Sequence, residues 1–535
     1  MPPTITLDAP HSAGQLLPFR QSLMAMLGMC FVIMLVAVDQ TVVGTALPTI
    51  VSELHGFNLY AWVATSYLLT SVITVPIFGR LGDYYGRKPF VVAAIILFTV
   101  ASVLCGAAQS MPQLVAARAL QGVGGGMLVG TAFACIPDLF PDTRVRLRWQ
   151  VMVASAFGIA NAVGPSLGGI LTEQYGWRSV FYVNLPIGLL GAWFVLRHMP
   201  HLRQHSGGRI RLDWPGALLI TAALGSLQLL VELLPQDDAG GAVTLLAVGS
   251  AAAFFALYAW EKRCDHPIVP VGMLRDRNLA MLFMMALLVG TTMFTLLFYA
   301  PLLMQGGFGL SPQQAGLLVT PLAAFITVGS IAGGRVIPRL ANPNHILYAG
   351  FALLAASCMG VLASDRATAH WLLALYMMLG GLGMGFVMPT LTIFTQHAAG
   401  RAHLGIATAL LQSLRMIGGM VGTAVVGTVV SHLYASRTAA TLGGRVDAAS
   451  LEQLSDPRVL VDAETQGRLL TQWAGQGVDG TAMLDTARQA LVTAIHGGQV
   501  IALVVALAAL WCVYRAPRVH LALPGRSQSP KSAGE

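Results

Sequence analysis

The sequence predicts an all-α polytopic membrane protein, and three observations carry that expectation. Of 535 residues, 55% are hydrophobic and only 10% charged, where a soluble domain carries about 25%; mean hydropathy is +0.69. The apolar residues form long unbroken runs, not the short alternating runs of a membrane β-barrel. The basic residues, 31 Lys and Arg against 23 Asp and Glu, gather in short segments between those runs. The net charge of +8 therefore marks membrane topology and not a nucleic-acid footprint. A soluble multidomain enzyme is excluded.

A span needs about 20 largely apolar residues. Fourteen segments meet this, at roughly 22–48, 59–78, 90–110, 112–135, 150–171, 180–198, 214–234, 241–260, 279–303, 313–334, 346–363, 371–393, 405–431 and 489–514. With the N-terminus inside, inner segments carry 22 Lys and Arg and the short outer loops carry only Arg178 and Arg366. Both termini are thus expected to be cytoplasmic. The predicted organisation is a cytoplasmic tail (1–19), a six-helix bundle (20–198), linkers with two extra spans (199–278), a second six-helix bundle (279–515) and a disordered tail (516–535). The external loop 432–488 mixes both charge signs with helix formers and is expected to hold short helices or a hairpin. The segment 333–340 after span 10 faintly echoes 78–88 after span 2, as paired transporter halves do.

Polar groups inside spans are the candidate functional residues, because each costs free energy in hydrocarbon and needs a partner or a wet cavity. In span 1, Asp39 is the only acid clearly deep in any span. In span 4, Arg118 opens the run Arg-Ala-Leu-Gln121-Gly-Val-Gly-Gly-Gly at a depth matching Asp39 from the outer side. An Asp39–Arg118 pair is expected, with a purely structural pair as the bland reading and a snorkelling Arg118 as another. Between spans 2 and 3, Gly79, Gly82 and Gly86 permit a tight turn, and Asp83 sits among Arg80, Arg87 and Lys88. In span 5, Gly164 and Gly168 share a helix face, Pro165 removes a backbone hydrogen bond, and Gly169 follows. Arg415 lies near the middle of span 13 with no acid close in sequence; it either faces a cavity or bonds backbone carbonyls. Methionine-rich runs (Met284, Met285, Met293, Met377, Met378, Met384, Met388) and Tyr67, Phe298 and Phe386 are wall or filler. The glycines of 122–126 are packing rather than phosphate binding. There is no P-loop lysine, no H-E-x-x-H and no metal-ligand spacing among the six cysteines.

Residues 79–89, GRLGDYYGRKP, resemble the loop 2–3 signature of the major facilitator superfamily. The Gly164-Pro165-x-x-Gly168-Gly169 pattern resembles that of its exporters, and the Arg118 segment that of its antiporters. Span 1, Asp39-x-Thr41-x-Val-Gly44-x-Ala46-Leu47-Pro48, resembles the fourteen-span drug:proton antiporter branch, departing at Gly44 where that branch usually has asparagine. Trp177-Arg178, Phe181, Asn184, Pro186 and Gly188 fit the same branch. So do Tyr299, Pro301, Gln305, Gly309, Ser311, Pro312 and Gly316, and Gln412-x-x-Arg415-x-x-Gly418-Gly419. The resemblance covers about 20–515.

It implies a major facilitator fold, with two six-helix bundles plus a two-helix insert, in the cytoplasmic (inner) membrane. It also implies a multidrug efflux transporter that is not an enzyme and has no cofactor, driven by the proton gradient. The partners would be small lipophilic substrates, protons and membrane lipids, with or without a periplasmic adaptor and with no nucleic acid. Asp39 and Arg118 would couple protons, with Glu53 or Glu232 as the fallback. Gln121, Tyr299, Gln305 and Arg415 would line the substrate cavity. Gly79, Asp83, Gly86, Arg87, Lys88, Gly164, Pro165, Gly168 and Gly169 would form the conformational switch. Export of an endogenous metabolite by the same mechanism is the alternative. One deep carboxylate exchanges one proton, so neutral or monovalent lipophilic compounds should be exported better than divalent ones. Transport of a bis-quaternary dye at the rate of its monovalent analogue would overturn that charge count.

Overall fold

The computed structural model describes residues 18–515 apart from 55–58, 141, 201–212, 234–239, 265–266, 269–270, 311, 338–339, 341, 401–402, 444–445, 456, 461–462 and 476–478. The first seven helices are α1 (Phe19–Leu54), α2 (Tyr60–Tyr85), α3 (Arg87–Gly106), α4 (Met111–Leu139), α5 (Thr143–Tyr175), α6 (Ser179–Tyr182) and α7 (Asn184–His198). Then come α8 (Trp214–Leu233), α9 (Gly240–Glu261), α10 (Val271–Arg275) and α11 (Arg277–Leu302), the last prolonged by a π turn, Leu303–Gly307. The chain continues with α12 (Pro312–Val336), α13 (Asn344–Leu362), α14 (His370–Ala399), α15 (Leu404–Leu442), α16 (Ala448–Leu454), a 3-10 turn (Pro457–Leu460), α17 (Ala463–Gly475) and α18 (Gly480–Arg515). The protein is all-α. Eleven of the described helices are long and apolar enough to cross a membrane, and two shorter apolar stretches, Ser66–Gly82 and Trp214–Leu230, accompany them. Each of the fourteen apolar runs overlies a helix, with the sixth broken at Val183 into α6 and α7.

The packing repeats. In the N-terminal set, α1 lies on α5 and α7, α2 on α4, and α3 on α4 and α7. In the C-terminal set, α11 lies on α15 and α18, α12 on α14, and α13 on α14 and α18. Taken in chain order, the second list reproduces the first. The α8–α9 pair stands apart and touches α2 and α15 through α8. Apolar residues also face outward at helical spacing: Ile96, Val100 and Leu104 on α3, Leu189, Trp193 and Leu196 on α7, and Val504, Leu507 and Trp511 on α18. Such stripes suit contact with lipid tails.

Close backbone approach holds each set together, since apolar burial drives little association between helices already in lipid. Gly122, Gly126 and Gly130 recur every four residues along α4 and form a groove for α2. A Cβ at Gly122 would lie 2.3 Å from the Tyr67 carbonyl oxygen, one at Gly126 2.3 Å from that of Ser71, and one at Gly130 2.4 Å from that of Val75. The C-terminal set uses the same device: a Cβ at Gly418 would come 2.0 Å from the Leu287 carbonyl oxygen, and one at Gly290 1.9 Å from that of Arg415. At the α2–α3 corner, Gly86 is the single residue between two helices, at φ +86°; that left-handed backbone favours glycine.

The two sets meet through α2 and α4 against α15, and through α5 against α12 and α14. The contacts gather toward the end of the molecule that holds the α2–α3 corner. Gly79 abuts Ala409, with only 2.4 Å available for a Cβ, and Gly334 abuts Val151. Gln150 donates from Nε2 to Gln396 Oε1 at 2.9 Å. At the opposite end, the segment between α15 and α18 is a small helical cap. Trp473 of α17 is fully buried in it and donates to Ser450 Oγ at 3.2 Å. The expected loop 432–488 is thus shorter: α15 runs on to Leu442 and α18 starts at Gly480, with three short helical pieces between.

Gly126→Ala should destabilise the protein by about 1–3 kcal/mol through overpacking, whereas Gly249→Ala, with open space around it, should not. Thermal unfolding of the purified variants in detergent checks this, and equal midpoints would contradict the groove.

Candidate functional site

Asp39 lies in the middle of α1 and is 1% exposed. Arg118 Nη1 donates to Asp39 Oδ2 at 2.7 Å. Gln121 Nε2 donates to Asp39 Oδ1 at 2.8 Å, and so does Asn184 Nδ2, also at 2.8 Å. The helical period explains the first two: Arg118 and Gln121 are three apart on one face of α4, and Arg118 Nη1 also donates to Gln121 Oε1 at 2.7 Å. Arg118 Nε donates to the Val63 carbonyl at 3.2 Å, and the guanidinium lies 4.5 Å above the Tyr67 ring. The break at Val183 makes Asn184 the first residue of α7 and brings it to the carboxylate; its amide also donates to Ser102 Oγ at 3.0 Å.

A buried ion pair repays its desolvation only when its remaining hydrogen-bonding positions are filled. Here Asp39 accepts three bonds from two helices besides its own. The cluster is a buried carboxylate whose charged form is held by one cation and two neutral amides. The carboxylate thereby bonds α1 to both α4 and α7.

A second polar place lies between the two helix sets. Arg415 of α15 is half-buried there on a narrow cleft lined also by Gln150, Phe157, Ile326, Met388 and Gln412. Its Nε is buried without a hydrogen-bond partner.

The other expected site residues are distributed as follows. Gln121 belongs to the Asp39 cluster and is not among the residues lining the cleft; its spacing from Arg118 puts it there. Tyr299 seals α11 against α15, donating its hydroxyl to the Thr423 carbonyl at 3.1 Å. Gln305 sits in the π turn, where its carbonyl accepts from the Gly309 N–H at 3.1 Å. Among the switch residues, Gly79 joins the two sets and Gly86 makes the α2–α3 corner. Arg87 donates from Nε to Asp138 at the end of α4. Lys88 ties α3 to the end of α7 by donating to the Leu196 carbonyl at 2.8 Å and the Met199 carbonyl at 2.6 Å. Gly164 packs α5 on Thr41 of α1, and Gly168 is buried. The side chains of Asp83, Pro165 and Glu232, and the surroundings of Gly169, lie outside the described residues. Glu53 is exposed and accepts from Arg178 and, at 2.9 Å, from Trp177 Nε1. The Arg178 hydrogen bond holds its carboxyl below the usual 4.5, so Glu53 stays ionised at neutral pH. Its stabilising contribution is complete above the unfolded value and fades only as pH falls through the lower folded one.

Asn184 and Asp138 make contacts to which the sequence alone gives no role. The helix break at Val183 is not signalled by the sequence, so nothing in it gave the direction of Asn184. Asp138, two residues after the apolar run that ends at Ile136, reads as an end-of-span charge.

A many-helix bundle with a repeated packing plan and a carboxylate buried in mid-bundle is the architecture of a membrane transporter. The Major Facilitator Superfamily model matches residues 29–423, and the chain belongs to that family. It is 31% identical over 451 residues to Multidrug resistance protein 3 of Bacillus subtilis, covering 83% of this chain and 87% of that one. It is 32% identical over 397 residues to the Multidrug transporter protein MdtP of the same organism, covering 74% and 73%. Among solved structures, the human organic anion transporter MFSD10 shares the fold at a TM-score of 0.59 and 15% identity, over 92% of this chain and all of that one. The protein is a multi-pass membrane transporter and not an enzyme.

Removing one member of the buried pair leaves the other uncompensated, so Arg118→Leu should cost about 3–5 kcal/mol. Adding Asp39→Asn should recover part of that loss. A double-mutant cycle by thermal unfolding measures the coupling; purely additive effects would mean the two side chains do not share one energetic unit.

Proposed function

We propose that the protein is a proton-coupled antiporter that exports lipophilic, mainly neutral or monocationic compounds across the cytoplasmic membrane by alternating access. The observation that carries this reading is the buried Asp39 carboxylate, answered by Arg118, Gln121 and Asn184. It is an acid that can gain or lose a proton inside the bundle and thereby alter how three helices are bonded. The names of the relatives, both multidrug proteins, support the export of drugs. With both termini cytoplasmic, the end where α2 and α4 meet α15 is the inner end. The arrangement then corresponds to a carrier closed toward the cytoplasm. Rocking of the two helix sets about the cleft would open that end. Gly79, with Ala409 against it, marks the surface that must part.

The energy scale is sufficient. One charge crossing 100 mV is worth about 2.3 kcal/mol, a roughly 45-fold gradient before any pH difference is added.

Inverted vesicles energised to an acidic, positive interior should accumulate a monovalent fluorescent cation. An uncoupler should abolish that uptake, and Asp39→Asn should reduce it to about the background of empty vesicles. Uncoupler-sensitive uptake that survives Asp39→Asn would remove Asp39 from the coupling step.

A further inference from the structure

We propose that Arg415 is the docking point for an anionic group on the substrate, so that the cleft selects amphiphiles carrying a carboxylate or a similar oxyanion. The proposal rests on the export reading above for the transport step alone and departs from its charge preference: a cation gains nothing from Arg415, whereas an acid or a zwitterion does.

The argument is one of charge balance. Arginine stays charged at every accessible pH, and an uncompensated charge in a low-dielectric place is costly. The helices α11, α12, α13, α14, α15 and α18 contain a single acid, Asp485. It lies in the second turn of α18 and is engaged by Arg366 at 3.0 Å and Arg488 at 3.9 Å. The deep acid of the other set, Asp39, is held by Arg118. No acidic residue lines the cleft.

Arg415 is therefore a fixed positive charge for which no described residue lining the cleft supplies a counter-charge. The tight α11–α15 contact at Gly290 and the Arg415 carbonyl fixes the rotation of α15 at this position. Gln150 and Gln412 sit on the same cleft. Phe157, Ile326 and Met388 supply an apolar wall. A charged donor beside an adaptable apolar surface suits an amphiphile with an acidic head and a lipophilic body. The energetics agree in sign: a membrane potential that is negative inside favours both export of an anion and entry of a proton.

The test uses one fluorescent acyl body with three heads: a carboxylate, its methyl ester and a trimethylammonium. Uptake into inverted vesicles and equilibrium binding to the purified protein are both measured. Wild type should prefer the carboxylate. Arg415→Gln should weaken carboxylate binding and uptake by about tenfold or more while changing the ester and ammonium by less than about threefold. Arg415→Lys, which keeps the charge, should retain most of the preference. Equal handling of the three heads by wild type would overturn the proposal. So would an equal loss of all three in Arg415→Gln that Arg415→Lys does not repair. A third overturning result is activity toward every head that depends on chloride and loses that dependence in Arg415→Gln, since the site would then hold an inorganic anion. If no head shows uncoupler-sensitive uptake, the antiporter reading fails, and the binding data still decide whether Arg415 recognises an acid.

Discussion

A carboxylate in the middle of a helix bundle has no water to lean on, so its neighbours must answer it. Asp39 draws that answer from α4 and α7, and the backbone beyond is arranged to let it. Arg118 reaches the carboxylate because α4 lies close to α2, and α4 lies close because its glycines leave no side chain in the way. Asn184 reaches it because the sixth span is broken one residue earlier. Tyr67 and the Val63 carbonyl, both on α2, cover the back of the guanidinium. The site and the packing of the N-terminal set are therefore one construction, and neither can be altered without the other.

The C-terminal set follows the same packing plan but carries a different electrical content. Its six helices hold one acid, near an end, and a cation in the middle. The two sets are thus alike in how helices touch and unlike in what they present inward. One holds a self-compensated pair sealed from solvent, the other a lone positive charge on a shared cleft. On the function proposed above, a carrier built this way would separate proton handling from substrate contact in space. Coupling between them must then pass through the surfaces where α2, α4 and α5 meet α12, α14 and α15.

Much of this was legible in the sequence. Span positions were, because a run of about 20 apolar residues has few other uses. The Asp39–Arg118 pair was legible too, because depth can be counted along two helices at 1.5 Å per residue. Direction around a helix axis was harder to read. Gln121 shares a face with Arg118, so it joined the ion pair and not the cleft. Met284 and Phe298, candidates for a cavity wall, are exposed at 49% and 54%, whereas Met388 does line the cleft. The partner of Arg87 could not be read either, since Asp138 is 51 residues away and only the packing of α3 on α4 brings the two together. The helical cap between α15 and α18 was half legible: its composition favours helix, but the buried Trp473 that organises it depends on tertiary contacts.

That cap has a practical consequence. Its pieces pack against α15, α18 and the π turn of α11, all in the C-terminal set, so it is a handle rigidly attached to one of two moving bodies. Thr471 on α17 is exposed on the cap, and Gln113 at the start of α4 is exposed at the same end of the other set. Five of the six native cysteines are buried. A pair of spectroscopic labels at these two positions would act as a caliper across the carrier's mouth, reading its opening and closing turnover by turnover without disturbing a single packed helix contact.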